Sequence, residues 1–363
     1  MNKFAYMEKY GFEQLCFFHD KSTGLKAITC IHNTVLGPSL GGTRFWNYND
    51  EEEAVEDVLR LARGMTYKSA LAGLALGGGK SVIIGDPAVL RKDPIKREAF
   101  WRAFGRYIEG LSGRYITAED VGTSTQDMVY VNMETSNVVG LPGRSGDPSP
   151  FTALGTYNSM RACCRHIYGD NSLKGKTVAV QGVGNVGYYL CKLLYENGAN
   201  IIISDVNDER VKKCVDEFGV KVVGTDDIYS ADCDIYAPCA LGATVNDTTI
   251  PQFKCKIICG GANNQLKDPT VHGLALQARK ICYAPDYLAN AGGVINVSYE
   301  LAEGGYNKEA SLRDIDFIYQ RMLDILRISA ETGQLTFQTA DAMAEGRLEA
   351  VRNIKSILTR RHS

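Results

Sequence analysis

The sequence predicts a two-domain α/β protein, in which a mixed α/β domain is followed by a doubly wound domain built on a parallel sheet. The chain has 363 residues, more than twice the roughly 150 residues of a typical domain. A loop rich in Gly, Pro and Ser at residues 140–150 separates two regions with different strand patterns. We therefore expect one domain over residues 1–145 and a second over residues 146–334, with a cleft between them that offers a binding site.

Short apolar runs and turn signals define the first domain. Residues 20–24 have the composition of a turn between two apolar runs, which predicts a β-hairpin. Asp50 and Glu53 form a capping-box pattern at the start of a long amphipathic helix. The apolar runs at residues 82–84 and 115–117 predict two further strands.

Strands and helical patterns alternate through the second domain. The apolar runs with the length of buried strands are residues 177–180, 201–204, 220–223, 234–237, 257–259 and 281–283. Such alternation predicts a parallel sheet with helices on both faces. The last helical pattern, within residues 335–363, is expected to return to the first domain and complete it.

Composition and charge exclude several classes of protein. The formal charge is −2, and 45% of the residues are apolar and 23% charged, as in ordinary globular domains, so no nucleic-acid partner is expected. A membrane span needs about 18 consecutive apolar residues, and no segment of the sequence reaches that length, so no membrane partner is expected. The first residues do not resemble a secretory signal. The 11 cysteines contain no CxxC pair, which predicts no metal site and suits a reducing cytoplasm.

A glycine-rich motif follows the first strand of the second domain. Its residues are Gly182, Val183, Gly184, Asn185, Val186 and Gly187. Between a strand and an amphipathic helix, such glycines allow a tight turn and bring the helix N-terminus close to a pyrophosphate. Asp205 lies 18 residues after Gly187, at the end of the next strand, where a carboxylate accepts hydrogen bonds from ribose hydroxyls. The motif predicts a Rossmann domain that binds NAD, which is favoured over NADP because Asp205 repels a 2′-phosphate, although the nearby Arg210 weakens that preference.

A second glycine-rich segment, residues 77–79, precedes Lys80. It is not a P-loop, because Leu74 stands where the first P-loop glycine belongs and the residues after Lys80 predict a strand instead of a helix. An isolated lysine is usually a solvated surface residue. Lys80, however, lies among Gly, Leu and Ile, where loss of contact with water would favour its neutral form. We therefore treat Lys80 as a candidate functional group.

Two other polar positions also have simple structural explanations. Asp120 follows a predicted strand and is equally well explained as the cap of a helix near Thr125. Asn290 begins the sequence Asn-Ala-Gly-Gly, which is typical of a turn that enters a helix. The residues by themselves leave both alternatives open.

Several short segments form a set that is more specific than any one of them. They are LGGTR at residues 40–44, RGMTYK at 63–68, GGGK at 77–80, AEDVG at 118–122, GANNQ at 261–265 and NAGG at 290–293. This set resembles the glutamate/leucine/phenylalanine/valine dehydrogenase family, and within it the leucine dehydrogenase members most closely. The resemblance extends in colinear order from about residue 11 to about residue 347. The chain departs from the family pattern at residues 288–289, around residues 302–305 and in the C-terminal tail, which we expect to affect oligomer contacts and not the chemistry.

The resemblance implies an NAD-dependent enzyme that reversibly converts an L-amino acid to its 2-oxo acid and ammonia. The matched catalytic and substrate positions are Gly41, Gly42, Met65, Lys68, Lys80 and Asp120. Lys68 matches the lysine that pairs with the substrate α-carboxylate, and the two glycines border the same site. Lys80 matches the catalytic lysine, which as a neutral base activates water, and Asp120 matches the group that exchanges protons with the leaving nitrogen.

The resemblance also implies the rest of the cofactor site. Thr152, Asn263 and Asn264 match positions that border the nicotinamide or its ribose. Asn290 matches a position near the substrate amine. The remaining expected cofactor contacts are Val206, Ala237, Pro238 and Cys239. Members of the family are homo-oligomers, so an octamer or a dimer is expected.

The pocket for the substrate side chain is expected to be apolar. Its matched positions are Leu40, Ala118, Val294 and Val297. A glutamate carboxylate would be buried there without a partner, at a large cost in free energy. Relatives that take aromatic substrates tend to have Gly where this chain has Ala118, so we expect a branched-chain aliphatic substrate: leucine, valine or isoleucine.

Two alternatives remain open from the sequence. Within the family, the alternative is a phenylalanine, tryptophan or valine dehydrogenase. Outside it, the alternative is a non-catalytic NAD-binding regulator that kept the fold. The joint presence of Lys68, Lys80 and Asp120 argues against the regulator, since binding NAD requires none of them.

Overall fold

The computed structural model describes residues 2–354, which fold into two compact units. Within that range, the first unit contains residues 2–146, 297–306 and 344–354, and the second contains residues 147–296 and 307–343. The chain therefore re-enters the first unit twice after leaving it at residue 146.

The last helical segment of the chain is shared between the units. The sequence predicts that residues 335–363 complete the first domain. Residues 344–354 belong to the first unit, whereas residues 335–343 belong to the second. Residues 355–363 lie outside the described residues.

The first unit is built on a five-stranded sheet. Its strands are β1 (Gln14–Asp20), β2 (Leu25–Asn33), β3 (Ser39–Trp46), β4 (Gly77–Ile84) and β5 (Tyr115–Glu119). The helices along this part of the chain are α1 (Lys3–Tyr10), α2 (Glu51–Leu71), α3 (Pro87–Leu90), α4 (Pro94–Glu109) and α5 (Thr125–Asn132). The strand order is β1-β2-β4-β3-β5; β2 is antiparallel to β1 and β4, and β3 is parallel to β4 and β5. This is the mixed α/β domain that the sequence predicts.

The two faces of this sheet have different cores. On one face, Ile83 packs in an aromatic cluster with side chains of α4, of which Trp101 and Phe104 are at most 1% exposed. Burying each of these large side chains contributes about 1.5–3 kcal/mol. On the other face, Val82 packs with α2 in a cluster of smaller side chains. Because side chains alternate along a strand, the even-numbered residues of β4, including Lys80, lie on the α2 face.

Two local predictions for the first unit are confirmed. At the start of α2 the Asp50 side chain accepts a hydrogen bond from Glu53 N at 2.8 Å, and Glu53 in return accepts one from Asn49 N at 2.8 Å. Glu53 thus bonds to the backbone N–H of Asn49, one residue before the N-cap Asp50, and not to that of Asp50 itself as in a standard capping box. In the predicted hairpin turn, Asp20 accepts a hydrogen bond from Thr23 N at 2.8 Å, and β1 pairs with β2 as expected.

The second unit is built on a six-stranded sheet. Its strands are β6 (Thr177–Gln181), β7 (Asn200–Ser204), β8 (Lys221–Val222), β9 (Ile235–Pro238), β10 (Ile257–Ile258) and β11 (Cys282–Tyr283). The helices from here to the end of the described chain are α6 (Ser149–Tyr168), α7 (Asn185–Glu196), α8 (Asp208–Phe218), α9 (Pro269–Ala278), α10 (Asp286–Ala289), α11 (Gly292–Ser298), α12 (Lys308–Thr332) and α13 (Thr336–Ile354). Every pairing is parallel. With β6 counted as the first strand, the order β8-β7-β6-β9-β10-β11 is the 3-2-1-4-5-6 order of the Rossmann fold. The predicted doubly wound domain is confirmed.

The described chain has no element that suggests a membrane or a metal. Between residues 2 and 354, no helix combines the length and the hydropathy needed to cross a membrane. In the same range, no three His, Cys, Asp or Glu side chains are grouped so that they could bind a metal ion. The 11 cysteines are all free thiols.

Candidate active site

Glycines in β3 and β4 allow backbones to approach more closely than other residues would permit. A Cβ atom on Gly41 would lie 1.8 Å from Gly79 O, and one on Gly42 would lie 2.5 Å from Glu119 O. A Cβ atom on Gly78 would lie 2.0 Å from Thr66 N in α2. The glycines therefore bring the sheet and α2 together at the level of Lys80, so any larger residue would force these elements apart.

Lys80 and Asp120 form an ion pair in this crowded region. Lys80 Nζ lies 2.9 Å from Asp120 Oδ2, and the Lys80 side chain is 6% exposed. Lys80 projects from β4, and Asp120 comes directly after β5. The burial of Lys80 was expected from its apolar neighbours. Its direct contact with Asp120 was not, because 40 residues separate them in the sequence.

Asp120 does not cap the helix that follows it. Ser124 is the N-cap of α5 and accepts a hydrogen bond from Asp127 N. The Asp120 carboxylate is instead held by two cations, Lys80 at 2.9 Å and Arg44 Nε at 3.2 Å. Burial alone would raise the pKa of Asp120, but the charges of Lys80 and Arg44 outweigh burial and lower the pKa to about 2. The carboxylate is therefore ionised at neutral pH.

Arg44 is part of a charge network that the sequence analysis missed. Its guanidinium bridges Asp120 and Asp57, donating to Asp57 Oδ2 at 2.9 Å. Tyr48 OH donates to the same Asp57 oxygen at 2.8 Å. Lys80 and Arg44 thus face the carboxylates of Asp120 and Asp57 in a largely buried cluster, and the exposed Arg60 also contacts Asp57, at 3.4 Å. Arg44 is the last residue of the LGGTR segment, so its position in that motif was the one available signal.

Helix α2 carries the other two substrate candidates of the first unit. Met65 and Lys68 lie in its C-terminal part, beside Thr66, which contacts Gly78. His32 Nδ1 lies 2.7 Å from Thr66 Oγ1, and burial lowers the pKa of His32 to about 4. His32 Nε2 donates to Tyr10 O at 3.0 Å, so in the neutral ring Nδ1 accepts a hydrogen bond from the Thr66 hydroxyl, which fixes this part of α2 against the sheet.

The four apolar pocket candidates are divided between the units. Leu40 and Ala118 lie in β3 and β5, and both belong to the first unit with Val297. Leu40 is 1% and Val297 8% exposed, and Ala118 is half-buried. Val294 lies in α11 and belongs to the second unit.

The glycine-rich motif of the second unit forms the turn from β6 into α7. Gly182 has a φ of 89°, which favours glycine, and a Cβ atom on Gly187 would lie 2.0 Å from Gly182 O. Gly184 caps α7 without a side chain, and Asn185 and Val186 form its first turn with Gly187. The first N–H groups of a helix have no partner within it, and a Cβ atom on Gly184 would meet only Arg210 Nη1, at 3.7 Å, so a pyrophosphate could approach the start of α7 closely.

Asp205 has a structural contact in addition to its predicted role. Asp205 Oδ2 accepts a hydrogen bond from Val183 N at 2.7 Å, and Oδ1 accepts one from Asn207 N at 2.9 Å. The carboxylate therefore braces the glycine-rich turn, which the sequence analysis did not foresee. The neighbouring Val206 is 90% exposed. Arg210 Nη1 would lie 3.7 Å from a Cβ atom on Gly184, which places this guanidinium beside the turn.

The remaining cofactor candidates lie along neighbouring strand ends of the same unit. Ala237 and Pro238 end β9, and Cys239 follows them and accepts a hydrogen bond from Gly261 N at 3.4 Å. Thr152 lies in the first turn of α6, where its Oγ1 would be 2.5 Å from a Cβ atom on Gly293. The structure thus places the start of α6 against the start of α11.

Asn290 and the 263–264 segment are brought together. Asn290 Nδ2 donates to Asn263 Oδ1 at 2.7 Å and to Gly261 O at 3.3 Å. Asn264 adopts a φ of 52°, in the left-handed region. Asn290 is 4% exposed, and its Oδ1 has no hydrogen-bond partner among the described residues. A buried amide oxygen without a donor is costly, which fits a site completed by the N–H group of a ligand.

Comparison with known proteins identifies the same two regions. Residues 13–137 match the model of the Glu/Leu/Phe/Val dehydrogenase dimerisation domain. Residues 143–209 and 203–344 match the model of the Glutamate/Leucine/Phenylalanine/Valine dehydrogenase domain.

Similar proteins cover almost the whole chain. A leucine dehydrogenase of Bacillus subtilis is 57% identical over 98% of this chain and 96% of its own length. A phenylalanine dehydrogenase of Thermoactinomyces intermedius is 46% identical over the same shares. The crystal structure of L-tryptophan dehydrogenase from Nostoc punctiforme has a TM-score of 0.83 at 40% identity, covering 96% of this chain and 99% of that one. The chain belongs to the glutamate/leucine/phenylalanine/valine dehydrogenase family of amino-acid dehydrogenases.

Proposed function

We propose that this enzyme catalyses the reversible, NAD-dependent oxidative deamination of branched-chain L-amino acids (leucine, valine and isoleucine) to the 2-oxo acids and ammonia. The observation that carries this proposal is the buried Lys80–Asp120 ion pair at 2.9 Å, at the level where glycines let β3, β4 and α2 approach closely. An acid and a base in contact are what deamination needs, because water must be activated and the nitrogen protonated before it leaves. The similarity to leucine dehydrogenases over 98% of the chain supports the choice of substrate.

In the proposed mechanism, residues of the first unit bind the amino acid and transfer protons. Lys68 pairs with the α-carboxylate, and the backbone at Gly41 and Gly42 borders it. NAD, when bound, would supply the hydride acceptor for the Cα of an amino acid whose amine is neutral, so that Cα becomes an iminium carbon. Lys80 takes a proton from the water that attacks this carbon. Asp120 delivers a proton to the nitrogen of the resulting carbinolamine. Its carboxylate then takes the hydroxyl proton as the C=O bond forms and the C–N bond breaks, so that ammonia leaves.

The ion pair explains how two groups can exchange protons in a nearly closed site. For Lys80 to act as a base it must first release a proton, and the Asp120 carboxylate is in contact with it. The charges of Lys80 and Arg44 keep the Asp120 carboxylate ionised until Lys80 transfers a proton to it. The proton released by Lys80 is thus held where the departing nitrogen needs it.

NAD is the proposed cofactor, and the glycine-rich turn and Asp205 support it. The N-terminal turn of α7 would hold the pyrophosphate, and Asp205 would accept hydrogen bonds from the ribose hydroxyls. The negative charge of Asp205 disfavours the 2′-phosphate of NADP. Thr152, Asn263 and Asn264 would border the nicotinamide end, and Val206, Ala237, Pro238 and Cys239 the adenosine end.

We also propose a cytoplasmic homo-oligomer, an octamer or a dimer. The family model over residues 13–137 describes a dimerisation domain, which supports self-association. Free thiols at all 11 cysteines suit a reducing compartment. Light scattering on the purified protein would give the mass of the assembly, and a monomer at micromolar concentration would contradict the proposal.

The decisive experiment measures reduced cofactor formed from NAD or NADP with a panel of L-amino acids at alkaline pH. We expect leucine, valine and isoleucine to exceed phenylalanine, tryptophan and glutamate in kcat/KM. Lys80→Ala should lower kcat by at least about 100-fold, which is typical of the loss of a general base, with unchanged affinity for NADH. Binding of NADH without turnover of any amino acid by the wild type would favour the regulator. Highest kcat/KM with phenylalanine or tryptophan would move the assignment within the family.

A further inference from the structure

Helix α2 ends just after Lys68, and a residue from the far end of the chain holds its last carbonyl groups. The Arg347 guanidinium donates hydrogen bonds of 2.7–3.3 Å to the carbonyl oxygens of Ser69, Ala70, Gly73 and Leu74. Nη1 serves the first two oxygens and Nη2 the last two. One side chain therefore covers the end of the helix and the turn that follows it.

The need for such a partner follows from helix geometry. The last four carbonyl groups of an α-helix have no partner within the helix, and its C-terminus carries about half a negative charge. A guanidinium is suited to this position because it presents five N–H donors in a planar fork and stays charged. The turn is completed by Gly73, which has a φ of 79° and donates its N–H to Ala70 O.

A second contact from α13 holds the residue before Lys68. Glu345 Oε1 accepts a hydrogen bond from Tyr67 OH at 2.6 Å, and Arg63 Nη2 donates to the same hydroxyl at 3.1 Å. Residues 344–354 and α2 all belong to the first unit. Helix α13 thus fixes the backbone on both sides of Lys68.

We propose that Arg347 is a positioning residue for the substrate α-carboxylate, acting through the C-terminus of α2. It holds the backbone from which Lys68 extends. Its charge also cancels the negative end of the α2 dipole, which would otherwise repel an anion bound in the last turn of that helix. This inference rests on the proposed role of Lys68.

The test compares Arg347→Met with the wild type. We expect KM for leucine and for its 2-oxo acid to rise about tenfold, which corresponds to about 1.4 kcal/mol. The kcat should stay within about twofold, because the carboxylate is held equally in the ground and transition states. The inhibition constant of 4-methylpentanoate, which has the carboxylate but no amino group, should rise by the same factor. The affinity for NADH should not change.

Two further variants keep the test decisive. Arg352→Met alters an exposed arginine of the same helix and should leave KM unchanged. Arg347→Lys keeps the charge but lacks the fork, so KM should rise by a smaller factor; this variant carries the test if Arg347→Met does not fold. A lower melting temperature with KM and the inhibition constant unchanged would make Arg347 a structural cap only and overturn the inference. A wild type without leucine-dependent NADH formation would instead refute the proposed function.

Discussion

At Asp120, two cations act against burial on the same carboxyl group. The pKa falls from 3.8 to about 2, which at about 1.4 kcal/mol for each pH unit corresponds to roughly 2 kcal/mol of folding stability. Because the folded-state pKa is depressed, this stability is fully present above pH 4. It is lost as the pH falls through the folded-state value.

Arg44→Met should weaken that pH dependence. Without the guanidinium, only Lys80 opposes burial, so the pKa of Asp120 should rise toward its unfolded value. The free energy of unfolding at pH 7 should therefore fall, and its further decrease between about pH 5 and pH 3 should be smaller than in the wild type. Urea midpoints measured from pH 7 to pH 3 test this. Arg60→Met is the matched control, since the 61% exposed Arg60 contacts Asp57 but not Asp120. Identical pH dependence in the two variants would show that Arg44 does not govern Asp120.

Asp205 braces the glycine-rich turn, and two substitutions can separate this contact from its proposed role in recognising the ribose hydroxyls. Asp205→Asn removes the charge but keeps an oxygen for Val183 N, so the NADH/NADPH preference should narrow by about tenfold or more while the turn stays in place. Asp205→Ala also loses the contact with Val183, so affinity for both cofactors should fall. Fluorescence titrations with NADH and NADPH measure this. An unchanged preference in both variants would assign Asp205 to bracing alone.

Ala118 is the candidate for size selection. It pairs with Gly42 across β5 and β3, and both belong to the glycine-lined region near Asp120. Ala118→Gly should deepen the pocket. The activation free energy that corresponds to kcat/KM should then rise by about 1 kcal/mol for leucine and fall by about 1–3 kcal/mol for phenylalanine. The ratio of the two kcat/KM values is the measurement. If both substrates lose equally, Ala118 does not line the pocket.

The contact of α2 with β4 depends on one missing methyl group, that of Gly78. Gly78→Ala would place a Cβ atom 2.0 Å from Thr66 N, so α2 must move, at a cost of about 1–3 kcal/mol or more. Gly64→Ala, on the same helix, meets nothing within 4 Å and should stabilise the protein by up to about 1 kcal/mol. Urea unfolding of both variants gives the two signs. Equal stability of Gly78→Ala and the wild type would mean that the sheet and α2 are not held this closely.

The same glycines explain which elements the sequence could not predict. Strand β3 was not assigned, and β4 begins at Gly77, ahead of the apolar run at residues 82–84. Glycine is depleted in strands, so a propensity argument treats these segments as loops. Only the tertiary contacts with Glu119 and Thr66 show why glycine is required there.

Features encoded by residues close together in the sequence could be predicted, whereas contacts between distant residues could not. The Rossmann order follows from alternating strands and helices, and the glycine-rich turn from six adjacent residues, 182–187. Lys80 and Asp120 were found as individual residues, Lys80 from its apolar neighbours and both from the family resemblance. Their ion pair and the Arg44–Asp57 bridge depend on the sheet register, which a sequence pattern does not encode. The roles of these residues stay predictions.

The return of the chain to the first unit also sets the order in which the protein can be completed on the ribosome. Residues 2–146 emerge early, but the Arg347 contacts with the end of α2 form only about 200 residues later. At about 5–20 residues per second, residue 347 is synthesised roughly 10–40 s after residue 146. During that interval the C-terminal carbonyls of α2 are left to water. A chain that ends after the glycine-rich turn but before residue 347 keeps that turn but lacks the guanidinium beside Lys68, the proposed carboxylate-binding residue. Termination in this range therefore yields a chain with the proposed nucleotide motif and without a complete proposed substrate site.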